Sequence, residues 1–117
     1  MPQITVEHSP YLDGVDWNGF ARELHTVVVE TAAAKLEACK SRFLRTEDEV
    51  VGAEAEGHAI VNVSLALLAG RSAETKAELT EAVLDLLRKY VEVQDGVRLH
   101  ASAEVRDLDP SYRKFEE

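Results

Sequence analysis

The chain has 117 residues, 45% of them hydrophobic, and a formal net charge of -9, which is enough for one domain with a modest core and leaves no room for a second. So acidic a composition excludes nucleic acid and anionic membrane surfaces as main partners, because both select a basic face; a bound anion must instead meet locally clustered cations. One cysteine, Cys39, rules out an internal disulfide and a cysteine-rich zinc site, and with no basic start before an apolar run and no stretch of about 18 apolar residues the chain reads as soluble and cytoplasmic.

Residues 3–8 alternate, with Ile4, Val6 and His8 on one face and Gln3, Thr5 and Glu7 on the other, and predict a half-buried strand. Immediately ahead of it stands Pro2. With Met1 removed, Pro2 is a secondary amine at a strand end; an α-amino group titrates near pH ~8, burial or a nearby cation lowers that value, and the neutral nitrogen can then take and return a proton. Ser9 to Gly14 is turn chemistry, and Asp16 is the expected N-cap of a helix whose stripe runs through Trp17, Phe20, Leu24, Val28 and Thr31.

A second strand is expected from about Ala38 to Asp48, with Lys40, Arg42 and Leu44 on one face and Cys39, Ser41 and Phe43 on the other, the thiol buried. Two cations thus share a strand face in an acidic protein. The acidic run from Glu47 to Gly57 predicts an exposed loop with a short strand extension through Val50 and Val51. Ala59 to Leu68 is the most strand-like segment, with Ala59, Val61, Val63, Leu65 and Leu67 on one face. Arg71 follows as a loop cation expected to support little packing, and Ser72 caps a helix with Glu74 in its first turn, Arg88 and Lys89 in its last, and a stripe of Leu79, Val83, Leu86, Leu87 and Tyr90. Asp95-Gly96 turns the chain into a last strand from Val97 to Arg106, and the charged tail carries two aromatic anchors, Tyr112 and Phe115. The histidines at 8, 25, 58 and 100 lack metal-ligand spacing and read as packing or surface residues.

Strand, helix, strand occurs twice, as pseudo-repeats of about 2–48 and 59–107 within a single domain 1–117, and a shift of 59 residues carries Phe20, Leu24, Val28 and Thr31 onto Leu79, Val83, Leu87 and Tyr90. The expected fold is α+β, a tandem β-α-β repeat forming a four-stranded sheet with both helices on one face. The other face would carry Ile60, Ala66 and Leu68 among small polar residues such as Asn62 and Ser64, and is expected to be covered by another subunit.

The combination of Met1-Pro2 with an Ile4-Thr5-Val6-Glu7 strand, Ser41-Arg42, Leu67 to Ser72 with Glu74 and Lys76, and the Asp107-Leu108-Asp109-Pro110 tail resembles the tautomerase superfamily and, within it, the 5-carboxymethyl-2-hydroxymuconate isomerases. That resemblance implies a tautomerase fold assembled as a homotrimer, and a cofactor-free isomerase of aromatic-compound degradation that moves a proton between a 2-hydroxy-dienoate and its 2-oxo-enoate tautomer. It implies Pro2 as general base and Lys40, Arg42 and Arg71 as the cations that hold a small carboxylic acid substrate. The family places an arginine at the position aligned with Lys40, so here a point charge replaces a planar fork. Two further readings stay open on the sequence: a non-catalytic ferredoxin-like binding module with the same element order, and another superfamily activity such as decarboxylation, dehalogenation or phenylpyruvate tautomerisation.

Overall fold

A computed structural model describes residues 1–117. The elements are β1 (Gln3–His8), α1 (Trp17–Ala32), β2 (Lys40–Arg45), β3 (His58–Leu67), α2 (Ala73–Tyr90) and β4 (Arg98–Asp107). They form one sheet in the order β2-β1-β3-β4, in which β1 pairs parallel with β2, antiparallel with β3, and β3 pairs parallel with β4. Each helix therefore crosses between two directly adjacent parallel strands. A ferredoxin-like module splits that β-α-β unit with an intervening strand, so the sheet order sets that reading aside. No helix is long and apolar enough to cross a membrane.

The core lies between the sheet and the two helices, which pack on the same face. Ile4 and Val6 from β1 and Ala59, Val61, Val63 and Leu65 from β3 are fully buried, and they meet Phe20, Leu24 and Val28 of α1 and Leu79, Val83 and Leu87 of α2. At about 1.5–3 kcal/mol for each large aliphatic or aromatic side chain removed from water, these contacts dominate the folding free energy. The expected caps form: the Asp16 side chain accepts from the Gly19 N–H at 2.9 Å, and the Ser72 hydroxyl accepts from the Thr75 N–H at 3.1 Å. α1 ends without a glycine, on Ala33 at φ 56°, a left-handed conformation that costs an L-residue about 1–2 kcal/mol.

Three expectations need correction. β2 does not span Ala38 to Asp48: Leu36–Ala38 tighten into a 3-10 turn, Cys39 follows it outside the strand, and β1 offers only six residues, Gln3 to His8, for the parallel ladder. Val50 and Val51 do not extend a strand; Val51 makes a single bridge to Glu54. Phe115 is 82% exposed and anchors nothing, in contrast to the half-buried Tyr112. The helix-free face is mixed, as the alternation of β1 and β3 requires. Ile60 and Ala66 lie there, but Leu68 falls past the end of β3, and their neighbours include Gln3, Thr5, Asn62, Ser64 and Ser102. Ser102 donates to Asn62 Oδ1 at 2.7 Å on this face.

Candidate active site

Parallel pairing of β1 with β2 and of β3 with β4, combined with the antiparallel central pair, brings the starts of β1 and β2 and the ends of β3 and β4 to one end of the sheet. The C-terminus of α1 and the N-terminus of α2 reach the same end, because one helix leads into β2 and the other leaves β3. Pro2 is buried there, and its carbonyl accepts from the Lys40 N–H at 3.2 Å, which ties the residue before β1 to the first residue of β2.

Lys40 lies beside Gln3 in the ladder, and its half-buried side chain makes only a long contact, 3.5 Å from Nζ to the Glu37 carbonyl. Arg42, two residues along the same face, donates from Nη2 to Gln3 Oε1 at 2.7 Å. Lys40 and Arg42 are therefore both adjacent to the strand that Pro2 begins. Arg71 approaches from the turn after β3, where Gly70 at φ 123° takes a backbone conformation that other residues rarely adopt. Its guanidinium donates to the Ala32 carbonyl from Nε at 3.1 Å and from Nη2 at 2.8 Å, and to the Leu68 carbonyl from Nη1 at 3.0 Å. The expectation of a loop arginine with little packing role is thus overturned: Arg71 closes the C-terminus of α1, which has no basic residue in its own last turn.

A cleft of about 590 Å³ opens beside this arginine, lined by Thr31, Ala33, Gly70, Ser72 and Thr75 among others. A larger cavity of about 700 Å³ lies at the opposite end of the sheet, lined by Tyr11, Glu47, Asp48, Glu49, Glu54 and His58. Its carboxylates repel an anionic acid, so size is the weaker guide here and the cation-bearing end is the better candidate.

The electrostatics of the Pro2 end favour a neutral amine. The terminal amine, borne here by Met1, is held below its ordinary value by burial first, then by the cations of Lys114 and Arg71; Cys39 opposes them and Lys40 adds to them. Three side chains of this end had no site role in the sequence reading: Gln3, Tyr112 and Lys114. The Tyr112 hydroxyl donates to Met1 Sδ at 3.0 Å and accepts from Gln3 Nε2 at 3.1 Å. Only the aromatic character of Tyr112 in a charged tail hinted at such a contact.

The histidines sit elsewhere. His8 is buried against Trp17 with ring centroids 5.1 Å apart, and His25 Nε2 lies 2.7 Å from the Ser41 hydroxyl. His58 and His100, 42 positions apart, come within 2.9 Å of each other across β3 and β4, with Glu54 at 2.9 Å from the other ring nitrogen of His58. No group of three or more His, Cys, Asp or Glu side chains is arranged to hold a metal ion.

Comparison with known proteins narrows the assignment. No curated protein matches the sequence. Among solved structures, a 5-carboxymethyl-2-hydroxymuconate isomerase from Deinococcus radiodurans R1 superposes with a TM-score of 0.80 at 21% identity, covering 98% of this chain and 90% of the other. A fused 4-OT protein solved as a symmetric trimer gives 0.77 at 20% identity over 97% and 93% of the two chains. A 5-carboxymethyl-2-hydroxymuconate delta-isomerase gives 0.71 at 14% identity over 100% and 89%. These likenesses show a shared tautomerase fold. The family model of 5-carboxymethyl-2-hydroxymuconate isomerase matches residues 2–116, so nearly the whole chain, from the buried proline through the tail that crosses it, belongs to the 5-carboxymethyl-2-hydroxymuconate isomerase family of the tautomerase superfamily.

Proposed function

We propose that the protein is a cofactor-independent isomerase that moves a proton between 2-hydroxy-dienoate and 2-oxo-enoate acids, with the Pro2 nitrogen as general base once Met1 has been removed. The observation that carries this reading is the placement of Pro2, buried at a strand start beside a terminal amine, that of Met1, whose pKa burial and the cations of Lys114, Arg71 and Lys40 lower against the opposing Cys39. The neutral amine removes the proton from the 2-hydroxyl. The O–H electron pair becomes the C2 carbonyl, the conjugated double bonds shift, and the prolinium returns its proton to the far carbon of the diene, so base and substrate balance without a redox partner. Arg42 and Lys40 hold the carboxylates, and Arg71 contributes positive charge as the enolate develops. Because Lys40 replaces a planar fork with a point charge, it sets the preference among acids of different length.

Assembly as a homotrimer accompanies this reading. The fused 4-OT relative is a symmetric trimer, and here β2 and β4 are both open edges, the latter ten residues long, with unpaired backbone groups available to another chain.

The test is intact mass and turnover on one preparation, with and without aminopeptidase treatment. While Met1 is attached the Pro2 nitrogen is an amide whose lone pair is delocalised, so the Met1-bearing protein should be folded and nearly inactive and the trimmed protein active. Full turnover with Met1 wholly retained would remove Pro2 from the mechanism.

A further inference from the structure

Where Met1 covers Pro2, its thioether is held by a hydrogen-bonded chain that begins on a substrate-binding cation. Arg42 donates to Gln3 Oε1 at 2.7 Å, which turns the Gln3 amide so that Nε2 faces Tyr112. Gln3 Nε2 then donates to the Tyr112 oxygen at 3.1 Å, and the phenol proton is directed onto Met1 Sδ at 3.0 Å. Gln3 Nε2 also reaches Met1 Sδ at 3.4 Å.

The tail presents Tyr112 through a formed turn. The Leu108 N–H donates to the Leu67 carbonyl at 2.6 Å, continuing the sheet; the Ser111 N–H donates to Asp109 Oδ1 at 2.8 Å, and the Tyr112 N–H to the Asp109 carbonyl at 2.9 Å. The phenol is therefore positioned by backbone on one side and by Gln3 on the other. A thioether sulfur is a poor acceptor for so well prepared a donor. Removal of Met1 takes that acceptor away and leaves the O–H aimed into the space that the Met1 side chain occupied, next to Pro2 in sequence, where a carboxylate or enolate oxygen would make a shorter, charge-assisted bond.

We infer that Tyr112 is a further substrate-contacting residue of the Pro2 site, its phenol donating to a substrate oxygen in the place that the Met1 thioether occupies before processing. Gln3 is the positioning residue that couples this donor to Arg42. This inference rests on the isomerase reading above.

The experiment compares wild type, Tyr112→Phe and Pro2→Ala, all freed of Met1, in an ultraviolet assay on 2-hydroxy-dienoates, with urea unfolding of each. Tyr112→Phe keeps the ring and should unfold at the wild-type midpoint while kcat/KM falls roughly 10- to 100-fold, the worth of one hydrogen bond to a charged oxygen. The loss appears in kcat if the phenol meets the developing enolate and in KM if it meets a carboxylate. Wild-type turnover by Tyr112→Phe, with Pro2→Ala impaired, overturns the Tyr112 assignment and leaves the proposed function standing. A loss in Tyr112→Phe with Pro2→Ala unimpaired supports Tyr112 and removes the proline base. A wild type inert to every dienoate overturns both.

Discussion

At the residue scale, Arg71 and Lys114 test the proposed site in different ways. Arg71 is both a helix closure and a charge, so Arg71→Ala should lower stability by about 2 kcal/mol through its charged hydrogen bonds to the Ala32 and Leu68 carbonyls and should also cost about 10²- to 10³-fold in kcat. Arg71→Lys separates the roles: it keeps the charge and loses the fork, so turnover should recover further than the urea midpoint. Equal recovery of both would assign Arg71 to the scaffold alone. Lys114, paired with Glu116 at 2.7 Å, also acts on the terminal amine through its field. It disfavours the protonated terminal amine, together with Arg71 and Lys40 and against Cys39, so Lys114→Met should raise the pKa of the trimmed Pro2 amine. The acid limb of kcat/KM against pH should then move upward, and because Lys114 is exposed the displacement should shrink in high salt. An unmoved limb would place Lys114 outside the site.

Helix α2 was readable from end to end at the scale of elements, since Ser72, Glu74, Arg88 and Lys89 are local signals at its two ends. Helix α1 was readable only at its start. Its end rests on Ala33 in the left-handed region and on an arginine 39 positions away, and no signal near residue 32 announces that partner. The packing of α1 on β2 makes a pH-dependent contribution through His25, whose ring meets the Ser41 hydroxyl at 2.7 Å. Burial lowers its pKa from the usual 6.5, so below pH 6.5 the unfolded chain binds a proton that the folded chain resists. The stability conferred by neutral His25 is complete above that pH and is lost as pH falls toward the folded value. His25→Gln, which retains a hydrogen-bonding side chain, should flatten the fall in urea midpoint as pH drops below 6.5; an unchanged slope would assign the acid sensitivity to other groups.

The pairing order of four strands controls everything else at the scale of the molecule. It gathers Pro2, Lys40, Arg71 and the tail at one end, places the acidic cavity at the other, and leaves β2 and β4 as open edges. Sedimentation of the wild type at micromolar concentration should give three times the chain mass, and a persistent monomer would refute assembly through those edges.

Properties that depend on neighbours in the chain were determined by the sequence itself. The alternation of Ile4, Val6 and His8, the apolar face from Ala59 to Leu67 and the stripes of both helices follow from residue spacing, and all of these residues but the half-buried Thr31 and Tyr90 are buried. That Lys40 and Arg42 share a strand face also follows from spacing, and the parallel register beside β1 places them so. Strand limits escaped that reasoning, since β2 stops where β1 stops, and so did the second role of Arg71. The contact of Tyr112 with Met1, 111 positions apart, escaped it for the same reason: which side chains meet across such separations is set by sheet order and by the path of the tail, and local propensity carries no information about either.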